Sequence, residues 1–69
     1  MRMYATESTL IRAYGYDPTK QEMDIDFHKG GVYRYYGVPQ EAFNEFLRAP
    51  SKGKHFLAFI KGHYDFTKQ

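Results

Sequence analysis

The sequence predicts an α+β domain: a three-stranded antiparallel β-meander followed by two α-helices packed on the sheet. Three observations carry this expectation. Residues 22–28, EMDIDFH, alternate apolar Met23, Ile25 and Phe27 with Glu22, Asp24, Asp26 and His28, the period-2 pattern of a strand with one buried face. Lys29-Gly30-Gly31 is a turn signal, and Val32 to Tyr36 behind it is β-branched and aromatic. After Val38-Pro39 the apolar spacing lengthens to three and four residues, as a helix requires.

The first strand is expected at about residues 10–16. It closes at Asp17-Pro18-Thr19-Lys20, where Pro18 presets φ and Asp17 can accept hydrogen bonds from the backbone that follows. Its faces stay ambiguous: Leu10, Tyr14 and Tyr16 share a side with Arg12, Ile11 and Ala13 take the other, and a bulge near Gly15 is one solution. In the next hairpin, a three-residue loop of Lys29, Gly30 and Gly31 pairs His28 with Val32. Ile25 then faces Tyr35 and Phe27 faces Tyr33 on the buried side, while Asp26 meets Arg34 and Asp24 meets Tyr36 on the other.

The first helix starts at Pro39, suited to a first helical position, carries Phe43, Phe46 and Leu47 as its stripe, and stops at Ala49-Pro50. The second starts with Ser51 as N-cap and places Phe56, Ile60 and Tyr64 on one face, with Phe59 beside them.

Composition narrows the function classes. Sixty-nine residues make one domain, in which burial must offset about 1.5 kcal/mol of conformational entropy per residue. The chain has seven Tyr and six Phe with no Cys and no Trp, so rings supply much of the core and neither disulfides nor thiolate metal sites can supplement it. No segment resembles a signal peptide or a membrane span, and the expected setting is soluble and cytoplasmic. Asp24, Asp26 and His28 project from one strand face, but ligands along one strand sit about 6.5–7 Å apart, so no metal site and no cofactor are expected. Ser8, Ser51 and the histidines show no spacing that sets a nucleophile beside a base, and a chain this short leaves little wall for a water-excluding pocket. No catalytic site is expected.

Two stretches point to binding instead. Net charge is only +2, but Arg48, Lys52, Lys54 and Lys61 fall in a segment, 48–63, that contains no acid. Within it, Ser51, Lys52, Gly53 and Lys54 form a basic helix start where backbone N–H groups and lysines suit an anion such as a phosphate. On the sheet, Arg34 and Tyr36 look outward, with Tyr14 or Tyr16 as neighbours. Such a strip can stack bases or mark a protein interface. If helices cover both faces, every tyrosine is core instead.

The run Gly15-Tyr16-Asp17-Pro18, then Phe27, Val32-Tyr33-Arg34-Tyr35-Tyr36, Val38-Pro39 and Ala49-Pro50-Ser51-Lys52-Gly53-Lys54 with Phe56, Ile60 and Tyr64, resembles the KTSC domain. The resemblance spans about Ser8 to Tyr64 and departs from the family pattern at His55 and Leu57. That family takes its name from the C-terminal end of some lysyl-tRNA synthetases and also occurs as stand-alone bacterial and phage proteins. Through that company the resemblance implies a module that binds RNA or single-stranded nucleic acid. The alternative is a protein-interaction module that docks on one host protein.

Overall fold

The computed structural model describes residues 1–69. Five strands form one antiparallel sheet: β1 (Met3–Ala5), β2 (Ile11–Asp17), β3 (Glu22–Phe27), β4 (Gly31–Tyr35) and β5 (Phe66–Lys68), in spatial order β1-β2-β3-β4-β5. Helix α1 (Gln40–Arg48) and helix α2 (Lys52–His55), which runs on as a π-helical turn (Phe56–Ile60), lie in the chain between β4 and β5. The α+β class, the antiparallel pairing and the two helices agree with the sequence. The strand count does not: the sheet has five strands rather than three. β1 and β5 are three residues each, too short for an alternation to register, and β5 exists because the chain returns after the helices to pair Phe66 with Tyr35.

The faces of β2 resolve through a bulge at Arg12, not near Gly15. Pairing with β3 steps from Ile11↔Phe27 to Ala13↔Asp26, so the extra residue puts Ile11, Tyr14 and Tyr16 on one face together with Met23, Ile25, Phe27, Tyr33 and Tyr35. Gly15 serves a different need. It sits beneath the N-terminal strand, where a Cβ would stand 2.6 Å from the Arg2 carbonyl oxygen and 2.7 Å from Met3 Sδ.

The β3–β4 register also differs from expectation, by two residues. Phe27 pairs with Gly31, Ile25 with Tyr33 and Asp24 with Arg34, leaving His28, Lys29 and Gly30 as the loop. His28 is drawn away by its other neighbour: its backbone N–H donates to the Leu10 carbonyl (3.2 Å) and its ring Nε2 to the Ser8 carbonyl (2.9 Å). A shift of two preserves the faces. The Asp17 turn forms as read, with Oδ1 accepting from the N–H groups of Thr19 and Lys20 (3.0 and 3.2 Å).

Both helices cover the same face of the sheet. Pro39 takes the N-cap of α1, one residue earlier than expected, and Phe43 and Phe46 point into the core. Leu47 is exposed, because it lies on the far side of Phe43 from Phe46 while Ala42 completes the core-facing arc. Phe43 stacks on Tyr16 (centroids 4.4 Å apart), and Phe46 meets Tyr14 edge-on at 5.4 Å. Ser51 caps α2 as expected, its Oγ accepting from the Lys54 N–H at 3.3 Å.

The second helix ends earlier than the sequence suggests. Lys61 N–H bonds to the Phe56 carbonyl (2.9 Å), the i→i+5 spacing of a π turn, then Lys61 turns extended and Gly62 adopts φ +82°. Phe56 and Ile60 are therefore buried, Phe59 is exposed, and Tyr64 packs half-buried from the turn beyond the helix. No helix is long and apolar enough to cross a membrane.

Burial raises the Tyr16 hydroxyl above its ordinary pKa of 10.0, with the charge of Asp17 adding to the effect; that hydroxyl donates to the Val38 carbonyl. Burial and, secondarily, Tyr33 raise Tyr35 in the same way. The native state therefore holds these protons more tightly than the unfolded chain. Their contribution is complete below about pH 10 and declines as pH rises through the raised values. Thermal melts should show a falling Tm from about pH 10 upward, and Tyr16→Phe should remove part of that slope; a Tm independent of pH between 9 and 11.5 would contradict the assignment.

Candidate functional site

The β1–β2 loop and the start of α2 face each other across a polar trough of about 610 Å³, with Thr6 to Leu10 on one wall and Pro50 to Lys54 on the other. Ser8 shapes its wall: Oγ accepts from the N–H groups of Leu10 and Ile11 (3.1 and 3.2 Å) and ties the loop into a turn. Gly53 is buried against this loop. A Cβ there would lie 3.0 Å from Ser8 Oγ and 3.4 Å from Leu10 Cβ, so the close approach that glycine permits is taken by the chain itself. Lys54 is exposed. Lys52 donates from Nζ to the Leu47 carbonyl (3.3 Å) and lies 6.0 Å from the Tyr14 ring centroid, so it also satisfies the C-terminal end of α1. Folding adds an acid that the 48–63 segment lacks, since Glu7 lines the same trough.

A second cavity, about 260 Å³, adjoins the first and shares Leu10 and Leu57 with it. Five rings line it: Phe27 from β3, Tyr33 and Tyr35 from β4, Phe56 from the π turn and Phe66 from β5. The rings are locked at defined angles. Phe27 meets Tyr33 edge-on at 5.5 Å and Phe56 at 5.2 Å, while Phe66 lies 5.6 Å from both Tyr33 and Tyr35. Lys29-Gly30 and Lys61-Gly62 complete the lining, and no carboxylate does.

The sequence-derived site residues therefore separate into four places. Ser51, Lys52, Gly53 and Lys54 line the trough; Lys61 lines the aromatic groove; Arg48 projects from the last turn of α1 and lines neither. Arg34 and Tyr36 lie on the opposite face of the sheet. There Arg34 pairs with Asp24, not Asp26: Nε donates to Oδ1 at 2.8 Å and Nη2 to Oδ2 at 3.0 Å, with Glu22 3.8 Å away. This hydrogen-bonded carboxylate raises the guanidinium pKa further and takes up two of the three guanidinium nitrogens. Tyr36 Oη shares a hydrogen bond with Thr67 Oγ1 at 2.7 Å. Tyr14 and Tyr16 are not their neighbours, because the bulge at Arg12 turns both toward the helices.

Asp24, Asp26 and His28 do not converge, since Asp24 takes Arg34 and the His28 ring takes the Ser8 carbonyl. The sequence reading did not mark Lys29, Leu57 or Phe66 as site residues. Lys29 carried only a turn signal, and Phe66 lies in a strand too short to show a pattern.

The KTSC domain model matches residues 7–64. A lysine–tRNA ligase from Nostoc sp. is 42% identical over 62 residues, which are 90% of this chain but 11% of that protein, so the chain spans about a ninth of the ligase. An uncharacterized protein from Stutzerimonas stutzeri is 39% identical over 69 residues, covering 99% of this chain and 97% of that one. The crystal structure of a KTSC domain protein from Yersinia pestis superimposes with a TM-score of 0.96 at 37% identity, covering 99% of this chain and 96% of its own. The match over residues 7–64, together with full-length similarity to small proteins, establishes that this chain belongs to the KTSC domain family.

Proposed function

We propose that this domain is a non-catalytic binding module for single-stranded nucleic acid, RNA in particular, working in the cytoplasm. The observation that carries the reading is the groove in which five aromatic rings are rimmed by Lys29 and Lys61 with no acid among them. Rings offer stacking surface to any base, and lysines meet the phosphates on either side. Lys52 and Lys54 extend the positive lining into the adjoining trough. Supporting RNA over DNA, similar sequence forms part of a ligase that by its name acts on tRNA. A binding role also suits Ser8 and Ser51, whose hydroxyls are engaged in local backbone caps.

Anisotropy titration of a labelled single-stranded RNA tests the reading. If three or four phosphates are neutralised, log affinity should fall against log salt with a slope of about −2 to −3. Absence of binding at low salt would overturn it. The second reading, docking on a host protein, draws on the exposed Leu57 and Phe59. A pull-down from lysate that yields the same protein partner with and without nuclease would favour it.

A further inference from the structure

Resting on the nucleic-acid reading, we infer that the aromatic groove holds one unpaired nucleobase, lifted out of the strand, with the flanking phosphates outside on Lys29 and Lys61. Size limits the occupant. At about 260 Å³ the groove falls just below the roughly 300–1,000 Å³ of sites for drug-sized molecules, so it admits one ring system and not a stack of several.

Charge and polarity then select its chemistry. Apart from the two lysines, the polar side chains in the lining are Tyr33 and Tyr35; the rest is Leu, Phe and Gly. A flat, neutral, aromatic group suits such walls, and the two lysines in the lining suit the anionic linkages that flank such a group in a strand. A nucleotide within a strand joins these two properties.

The mouth is also open. Lys29 and Lys61 come from unrelated turns, yet each is followed by a glycine with positive φ (+125° at Gly30, +82° at Gly62), and a Cβ on either glycine would meet nothing within 4 Å. A chain can therefore pass over the rim on both sides of an inserted base. Phe66, 55% exposed at the sheet edge, offers the ring that a base can reach first.

Counting bases tests this directly. Labelled ribose-phosphate oligomers of fixed length, abasic throughout, are compared by anisotropy with oligomers carrying one, two or three adjacent bases. The first base should tighten binding roughly tenfold or more, and the second and third should add less than about twofold each. Phe66→Ala should abolish the gain from the first base while keeping the affinity for the abasic backbone, and Leu57→Ala should reduce that gain if Phe66→Ala fails to fold. Equal gains from each added base would overturn the single-base pocket in favour of a stacking strip. No gain from the first base would overturn it while leaving a phosphate-binding module. Failure of every probe to bind at low salt, fully based RNA included, would overturn the nucleic-acid reading and this inference together.

Discussion

Phe46→Ala is expected to abolish cooperative folding. Phe46 is fully buried and joins three elements: its ring meets Tyr14 of β2 at 5.4 Å, Phe43 of α1 at 6.3 Å and His55 of α2 at 6.1 Å. Truncating a buried Phe costs about 3–5 kcal/mol through lost burial and the cavity left behind. A chain this small holds roughly 3–10 kcal/mol in total, at about 0.05–0.15 kcal/mol per residue. One substitution therefore removes much or all of the margin. Far-UV circular dichroism should show no sigmoidal melt above room temperature. Phe59→Ala is the control: Phe59 is 59% exposed and touches His55 at 4.8 Å, so its loss should cost about 0.5 kcal/mol or less. A Phe46→Ala protein melting within a few degrees of the parent would mean that the two helices do not share this anchor.

The second large effect is expected in binding. Each lysine–phosphate contact on a single strand contributes about 0.7 to the salt slope, which at about 50 mM salt corresponds to roughly eightfold in affinity. Lys29→Ala combined with Lys61→Ala should weaken RNA binding by about sixty- to seventyfold at that salt and reduce the slope by about 1.4. Lys52→Ala with Lys54→Ala should do less. Glu7 faces the same trough, and Lys52 is partly committed to the Leu47 carbonyl. Lys20→Ala, at the opposite end of the sheet in the β2–β3 turn, should leave both quantities unchanged. Equal losses from all three variants, measured by anisotropy titration, would mean that the affinity reflects overall charge and no particular surface.

How far the sequence could be read depended on whether each feature was local. The alternation in EMDIDFH located β3, and the aromatic spacing after Pro39 located α1, because burying one face imposes a period that any short window displays. Strand faces survived even where the register did not: a shift of two residues moved Arg34 from Asp26 to Asp24 yet kept Tyr33 and Tyr35 inward. What set that register was His28 bonding to Leu10 and Ser8, some twenty residues upstream, and nothing in the hairpin announces it. The same reason divides the candidate site. Lys52, Lys54 and Lys61 were visible as a run of one charge, whereas the groove draws on β3, β4, the π turn and β5, and its second lysine stands over thirty residues from the first. Arg34 and Tyr36 were rightly placed outward, but the partners that occupy them, Asp24 and Thr67, belong to flanking strands.

The shortness of the two outer strands bears on how the protein behaves in concentrated solution. A sheet edge presents unpaired N–H and C=O groups that another chain can extend, and long, flat, apolar edges seed self-assembly. Here each edge offers only three residues, Met3–Ala5 and Phe66–Lys68, and one of them carries a lysine. The five-residue β4, with Tyr33 and Tyr35 on one face, is sealed behind Phe66–Lys68. Trimming the chain back past Phe66 would unseal it, replacing a blunt margin with an aromatic template on which further copies could line up edge to edge.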